Sequence, residues 1–255
     1  MIVDADCHIS SRRFDGLALT ADDLVAAMDV ARVDQALVWL KPPYDKDIEP
    51  ENRAVYDAAR AYPDRLIPFG WVNPRLGERH ASETLARCFD EYGFHGVKFN
   101  GAQDDYVIDD EALVIPIVER AAAYGKVLAF HIGADFPENT HPMRLGRLAE
   151  RFPGTTFLLI HLGGAAFPAL DRAAIEVARD RPNLHVIGSA IHERAIIAAL
   201  DALGPERVSF GSDMPFFLMH VRRAMYEALL EGRDESTRRG VMGDNILRIL
   251  GLPRA

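Results

Sequence analysis

The chain has few cysteines, no long apolar run and no excess of positive charge. Its 255 residues include only Cys7 and Cys88, which are too few for a disulfide framework. Apolar runs such as 157–160 and 246–250 are far shorter than the roughly 20 residues that a membrane-spanning helix needs. A formal charge of −9, without a stripe of lysine or arginine, opposes binding to a phosphate backbone. We therefore expect no membrane span and no nucleic-acid partner.

The N-terminus and the overall composition are typical of an ordinary globular protein. Met1 leads directly into Ile-Val-Asp, without a basic or apolar leader, so we expect no secretion signal and a cytoplasmic location. The chain is 49% hydrophobic, 26% charged and 9% aromatic, which suits a folded protein with a sizeable core. No linker or low-complexity stretch divides the chain, and we predict one domain over residues 1–255.

One pattern recurs along the chain: a short β-branched run, a polar turn and an amphipathic helix. The runs predict eight strands, at Ile2–Val3, Ala36–Leu40, Leu66–Val72, Gly96–Phe99, Val127–Ile132, Thr156–His161, Leu184–Ile191 and Val208–Phe210. Helices are predicted after Thr20 and at Glu51–Ala61, Ser82–Tyr92, Glu111–Tyr124, Met143–Arg151, Phe167–Arg179, Arg194–Leu203, Met219–Glu231 and Glu235–Leu250. Eight units of about 32 residues each favour an α/β fold, the parallel (β/α)8 TIM barrel.

An open, doubly wound sheet is the competing architecture. Such a sheet normally carries a glycine-rich phosphate loop after its first strand, whereas Asp6-Cys7-His8 stands at that place in this chain. The longest insertions, after strand 2 and at Asp135–His141, fall on the C-terminal side of the predicted barrel. Barrel enzymes build their active sites on that side, so the insertions favour the barrel and an enzymatic site.

Polar and ionisable side chains stand at the carboxyl ends of several predicted strands. Asp6 and His8 follow strand 1 and, because residues i and i+2 share a face, both can point into the barrel. Similar residues end four further strands: Lys98 and Asn100 at strand 4, His131 at strand 5, His161 at strand 6 and Asp213 after strand 8. Imidazole and carboxylate groups that converge in this way suit a divalent metal such as zinc, with an open position for water.

Six short motifs follow one another along the chain. They are Asp4-Ala-Asp-Cys-His8, Gly96-Val-Lys-Phe99, His131 after an apolar strand, His161-Leu-Gly-Gly164, Phe210-Gly-Ser-Asp213-Met-Pro215 and Gly243-Asp-Asn-Ile246. Each motif is weak alone. Together, in this order, they resemble the amidohydrolase-related (amidohydrolase 2) family of TIM-barrel metal-dependent hydrolases and decarboxylases, and the resemblance runs from Asp4 to the final helix.

The resemblance implies a mononuclear metal site with two ligands from strand 1, a strand-5 histidine and a strand-8 aspartate. In this chain those positions hold Asp6, His8, His131 and Asp213, with His161 standing beside the metal. The usual first motif of the family is His-x-His, whereas this chain has Asp6-x-His8. A carboxylate still ligates zinc but shifts the preference toward a harder ion such as manganese. It also leaves open weak metal binding or metal-free catalysis, as is inferred for the related pyrone-dicarboxylate lactonases.

The remaining candidates concern substrate binding. We expect Lys98 to contact a substrate anion or to form an ion pair behind the metal ligands, and Asn100 lies on the same side of its strand. His192, near the end of strand 7, is a candidate for a substrate contact or a structural role. The loops after strands 2, 3, 5 and 8 supply six candidate lining residues: Lys41, Tyr44, Trp71, Asn73, Phe136 and Phe216. We assign structural or surface roles to His80, His95, His141, His185 and His220.

The predicted function is hydrolysis of a small amide, ester or lactone by a metal-activated water. Asp213 would act as general base and then as acid, while His161 and the metal ion would polarise the carbonyl oxygen. Two alternatives stay open: non-oxidative decarboxylation of an aromatic or unsaturated acid, and a barrel that binds a ligand without catalysis. The expected partner is a small-molecule substrate, and the oligomeric state is open, with a homodimer as one option.

Overall fold

The chain folds into a barrel of parallel strands surrounded by helices. The computed structural model describes residues 1–11, 19–41, 48–164, 166–167 and 169–254. The strands are β1 Val3–Ile9, β2 Gln35–Leu40, β3 Leu66–Pro68, β4 Gly70–Trp71, β5 Gly96–Phe99, β6 Val127–His131, β7 Phe157–Ile160, β8 Leu184–Ile187 and β9 Val208–Ser209. The helices are α1 Ala21–Ala31, α2 Glu49–Ala61, α3 Glu78–Ala86, α4 Ile115–Ala123, α5 Pro137–Thr140, α6 Pro142–Arg151, α7 Leu170–Arg179, α8 Glu193–Leu203, α9 Met219–Leu229, α10 Glu235–Arg239 and α11 Asn245–Leu250.

The strands pair in parallel in sequence order. One ladder runs β1–β2–β3 and the other runs from β4 to β9. β3 and β4 are two parts of the third barrel strand, and Phe69 between them donates its amide to the Val38 carbonyl at 2.9 Å. At the other seam, the amide of Ala5 donates to the Phe210 carbonyl at 3.0 Å, which joins β1 to the end of β9. The predicted (β/α)8 barrel is therefore confirmed.

Alternate strand residues fill two apolar layers, because the strands of a parallel barrel are covered on both faces. The outer layer packs against the helices and includes Val38 and Leu40 of β2 with Leu24 and Met28 of α1. The inner layer fills the barrel with Leu37, Trp39, Ile67, Phe69, Ala129, Leu158, Ile160 and Ile187. Ile246 and Leu247 of α11 join this inner layer beside Val3.

The first strand extends well beyond its predicted end at Val3. β1 continues to Ile9, and all seven of its residues are buried. The hydrophobic pattern ended the strand early because Asp4, Asp6 and His8 are polar, although they lie within it. Asp6 and His8 are therefore strand residues and not residues of the loop that follows.

One extra residue in β1 determines which side chains point inward. Asp4 pairs with Ala36 and Cys7 with Val38, so three steps along β1 match two steps along β2. Such a β-bulge re-aims the side chains that follow it. Cys7 consequently packs in the outer layer as a buried free thiol, while Asp6 turns toward Lys98 inside the barrel.

Helix boundaries differ from the predictions where the chain leaves regular α-geometry. The helix predicted at Ser82–Tyr92 is α3 followed by a wider turn at Arg87–Glu91, and the last predicted helix is divided by a similar turn at Gly240–Asp244. Only glycine fits at position 243 in that turn, because a Cβ there would stand 2.7 Å from the Met1 carbonyl oxygen.

Among the described residues, no helix combines the length and apolarity that crossing a membrane requires.

Candidate metal centre and substrate pocket

A pocket of about 240 Å³ opens at the carboxyl ends of the strands. It is smaller than the roughly 300–1,000 Å³ of pockets for drug-sized ligands, so it suits a small organic molecule. Ten residues line it, and all but Ala134 and Phe216 are polar or ionisable: His8, Lys98, Asn100, Gln103, His131, Ala134, Asp135, His161, Asp213 and Phe216.

Two carboxylates and an imidazole converge at this end of the barrel. Nε2 of His8 lies 3.5 Å from Oδ1 of Asp6 and 3.4 Å from Oδ1 of Asp213. Nδ1 of His8 is 2.8 Å from the Leu40 carbonyl oxygen, which can only accept, so Nδ1 carries a proton. The indole N–H of Trp39 also donates to Nε2 of His8 at 3.1 Å. The two distances from Nε2 of His8 to the carboxylate oxygens resemble the separations between ligand atoms held about 2.1 Å from one ion.

Backbone contacts hold the two carboxylates together. The amide of Asp213 donates to the Asp6 carbonyl at 2.8 Å, and Asp213 adopts a left-handed conformation with φ of 62°. Oδ1 of Asp4 accepts from the amides of Asp6 at 3.1 Å and Ser212 at 2.8 Å. Asp4 thereby connects β1 to the segment that carries Asp213, and burial raises the pKa of Asp4 to about 7.

A chain of hydrogen-bonded groups leads from Asp6 to the rim of the pocket. The Ser189 hydroxyl donates to Oδ2 of Asp6 at 2.5 Å, and Nδ1 of His161 lies 2.9 Å from that hydroxyl. Nε2 of His161 is 3.1 Å from Nδ1 of His131, whose Nε2 is 2.6 Å from Oδ1 of Asp135. Both histidines are therefore engaged through both of their ring nitrogens.

The donor set fits a divalent metal ion. Asp6, His161 and Asp213 offer ligand atoms that all lie within 4.8 Å of one another. Oδ1 of Asp6 is buried and forms no hydrogen bond among the described residues, although it has ionic contacts with His8 and Lys98. A buried acceptor without a hydrogen bond is costly, and a cation would satisfy it.

The grouping of the histidines differs from the one that the family resemblance implied. His161 joins Asp6 and Asp213 in the cluster, whereas His131 approaches it only through Nδ1, next to His161. The physical reason is that Nε2 of His131 is turned away to Asp135.

Lys98 places a buried positive charge beside Asp6. Its Nζ lies 3.6 Å from Oδ1 of Asp6 and 3.9 Å from the centre of the Trp39 ring. Burial lowers the pKa of Lys98. Burial would raise the pKa of Asp6, but the charge of Lys98 and the contact with His8 hold it well below its usual value. Burial and the charge of Asp6 raise the pKa of Asp213, so the two carboxyl groups differ in proton affinity.

The predicted substrate-binding residues do not all reach the pocket. Asn100 does, while its Oδ1 accepts from the amides of Ala102 and Gln103 at 3.1 Å each. The structure places His192 elsewhere: β8 ends at Ile187, and His192 is an exposed residue that precedes α8 and lines a separate depression. We therefore leave it out of the proposed site.

Of the predicted loop residues, Phe216 lines the pocket and packs edge-on against His8, with ring centres 5.5 Å apart. Tyr44 lies outside the described residues. The pocket lining does not include the other four: Lys41, Trp71, Asn73 and Phe136. Trp71 instead donates its indole N–H to Oδ2 of Asp104 at 2.8 Å, so it supports the loop after β5.

The sequence analysis did not identify three residues of the site: Asp135, Gln103 and Ser189. Asp135 was recognised only as the start of a loop insertion, although its position four residues after His131 is a usable signal. Gln103 and Ser189 stand in loops with no motif, and only the fold brings them to Asp135 and Asp6.

A sequence profile described as Amidohydrolase matches residues 3–252, and the chain therefore belongs to the amidohydrolase family. A curated relative is 2-amino-3-carboxymuconate-6-semialdehyde decarboxylase of Dictyostelium discoideum. It is 24% identical over 251 residues, which cover 84% of this chain and 69% of the relative.

Solved structures with the same fold include two decarboxylases. The 2,6-dihydroxybenzoate decarboxylase from Rhizobium matches with a TM-score of 0.78 at 19% identity, over 98% of each chain. The dihydroxybenzoic acid decarboxylase from Polaromonas sp. JS666, with bound manganese and the inhibitor 2-nitroresorcinol, matches with a TM-score of 0.78 at 18% identity, over 100% of this chain and 98% of the other. These relatives are enzymes, and they favour the decarboxylase alternative over the hydrolase that the sequence first indicated.

Proposed function

We propose that this protein is a metal-dependent, non-oxidative decarboxylase of a small aromatic or unsaturated carboxylic acid. The observation that carries the proposal is the cluster of two carboxylates and an imidazole at a small pocket, in a chain whose named relatives are decarboxylases. The pocket volume of about 240 Å³ suits a molecule with one ring or one short conjugated chain.

Asp6, His8 and Asp213 are the residues that we propose to hold the metal, together with the paired histidines His131 and His161. A bound divalent cation supplies positive charge to the carboxylate and neighbouring oxygen atoms of the substrate. Two carboxylate ligands favour a hard ion, and manganese is bound in the Polaromonas relative, so we propose manganese in preference to zinc.

Asp213 is the proposed proton donor. In decarboxylation the substrate loses carbon dioxide, and the carbon that carried the carboxylate gains one proton in its place. In the metal-free protein, burial and the neighbouring charge of Asp6 raise the pKa of Asp213, so Asp213 has the higher proton affinity of the two carboxyl groups. Asp213 lines the pocket, so its proton can reach a substrate carbon directly.

Two further residues are proposed to orient the substrate. Lys98 lines the pocket with its buried positive charge and attracts an anionic oxygen of the substrate. Phe216 is 43% exposed at the pocket and offers an aromatic surface on which a planar substrate can stack.

The test is carbon dioxide release from a panel of small acids by manganese-loaded protein. The panel starts with 2,6-dihydroxybenzoate and the semialdehyde on which the relatives act, and adds simple benzoates, amides and lactones. We expect carbon dioxide without water uptake, loss of activity after chelation, and at least an ~100-fold lower rate in Asp213→Asn. Hydrolysis of an amide or lactone without carbon dioxide release would refute the proposal.

A further inference from the structure

Asp135 contacts both a histidine of the site and a neighbouring loop. Its Oδ1 lies 2.6 Å from Nε2 of His131, and its Oδ2 accepts from Nε2 of Gln103 at 2.6 Å. The Asp135 carboxylate therefore joins the loop after β6 to the loop after β5. Asp135 and Gln103 both line the pocket.

The loop that carries Asp135 is tightly built, so this contact is well defined. The amide of Gly133 donates to Oγ1 of Thr140 at 3.1 Å, and that hydroxyl in turn contacts the Asp135 carbonyl at 3.1 Å. Gly133 has φ of 69°, and a Cβ there would stand 2.5 Å from the Gly163 carbonyl oxygen. The loop thus packs against the turn that follows His161 and keeps Asp135 within reach of His131.

The hydrogen-bond partners specify where the ring protons lie. Ser189 gives its one proton to Asp6, so its oxygen accepts from Nδ1–H of His161. The other ring nitrogen of His161, Nε2, faces Nδ1 of His131 at 3.1 Å. Nε2 of His131 faces a carboxylate and therefore carries a proton.

Two imidazole nitrogens consequently approach each other at the cluster. Nδ1 of His131 and Nε2 of His161 are 3.1 Å apart and share at most one proton. A cation in place of that proton would be held by both nitrogens. A ligand histidine usually donates its other N–H to a carboxylate or carbonyl, which fixes its tautomer and orientation, and Asp135 occupies that position for His131.

We propose that Asp135 is a positioning residue that keeps Nε2 of His131 protonated and turned outward, so that His131 binds the metal through Nδ1, beside Nε2 of His161. This inference rests on the proposed metal-dependent function. It assigns a specific ring nitrogen to His131 and a role to a loop residue that no motif singled out.

The first test reads the ring protons directly. Long-range ¹H–¹⁵N correlation spectra of full-length protein labelled with ¹⁵N-histidine distinguish protonated, unprotonated and metal-bound nitrogens. Zinc serves as the diamagnetic probe, and the spectrum of His131→Gln assigns the His131 signals. We expect Nε2 of His131 to carry a proton in both metal-free and zinc-loaded protein, and Nδ1 of His131 to give the metal-bound signal.

The second test measures zinc and manganese affinity by chelator competition, without substrate. Asp135→Ala should weaken binding about 10–100-fold, as loss of the carboxylate partner of a ligand histidine does in general. Asp135→Asn keeps an acceptor oxygen and should lose less. Glu138→Gln is the matched control, because Glu138 lies exposed in α5, just after Asp135 and outside the pocket lining. The metal affinity of this variant should stay within about twofold of wild type.

Three results would overturn the inference: zinc bound at Nε2 of His131, unchanged affinity in Asp135→Ala, or a wild-type protein that binds neither metal. If Asp135→Ala does not fold, the ring-proton spectra of the wild type and the metal affinity of Asp135→Asn still test the inference. Because neither measurement uses a substrate, a protein that passes both tests but decarboxylates no acid would refute only the proposed reaction.

Discussion

Replacing the buried Lys98 by methionine should destabilise the metal-free protein strongly. The side chain is fully buried, its Nζ lies 3.6 Å from Oδ1 of Asp6, and methionine has a similar length without the charge. Removing one partner of a buried ion pair leaves the other charge uncompensated and costs about 3–5 kcal/mol. At about 2–4 °C per kcal/mol for a chain of this size, Lys98→Met should lower Tm by roughly 6–20 °C.

The same reasoning predicts rescue by metal, because a bound divalent cation compensates the charge of Asp6. The assay is thermal unfolding followed by circular dichroism, with chelator and then with excess manganese. The difference in Tm between wild type and Lys98→Met should shrink when manganese is added. Lys126→Met, at a lysine outside the pocket lining, is the control and should lower Tm little in either condition. A loss below about 1 kcal/mol in metal-free Lys98→Met, or a loss that manganese leaves unchanged, would refute the reasoning.

Three further changes test other parts of the structure. His192→Ala should leave kcat/KM within about twofold of wild type, since His192 lies outside the central pocket; a larger loss would place it in the site. Asn100→Ala should cost about 1–2 kcal/mol in urea unfolding, because two loop amides lose their acceptor. Burial, with Arg207 and Arg248 nearby, lowers the pKa of His185 from 6.5 to about 4. Between these two pH values the folded state therefore binds fewer protons than the unfolded state. Stability should therefore fall as pH is lowered from 6.5 toward 4, by an amount on the order of 1–3 kcal/mol, and His185→Gln should lose less.

The barrel could be predicted from sequence because its strands and helices alternate with a clear period. The strands buried on both faces, such as β6 and β7, are continuous apolar runs and were found nearly to the residue. β1 was missed beyond Val3 because its inward face carries Asp6 and His8 in place of apolar residues. A pattern based on hydrophobicity fails where a strand serves the site instead of the core.

The site could be predicted as a set of residues but not as a set of contacts. Polar residues at strand ends indicated His8, His131, His161 and Asp213, since the barrel brings strand ends together. Which histidine faces the carboxylates depends on side-chain rotation, and the Asp135 contact that turns Nε2 of His131 outward comes from a loop. Loop geometry leaves no periodic signal, so this part of the site required coordinates.

Asp6 and Lys98 should be energetically coupled, because their charges are in contact inside the barrel. Replacing Asp6 by the histidine that the family usually has at this position tests the coupling. Asp6→His introduces a nitrogen ligand and should shift metal preference from manganese toward zinc. It also leaves the buried Lys98 without its carboxylate and removes the acceptor of the Ser189 hydroxyl. Asp6→His alone should therefore lose stability, and Asp6→His combined with Lys98→Met should lose less than the sum of the single losses, with a coupling of roughly 0.5–3 kcal/mol. Urea unfolding of the four proteins in chelator measures the coupling, and chelator competition measures the ratio of zinc to manganese affinity. Additive losses would show that Asp6 and Lys98 act independently, and an unchanged metal ratio would show that Asp6 is not a ligand.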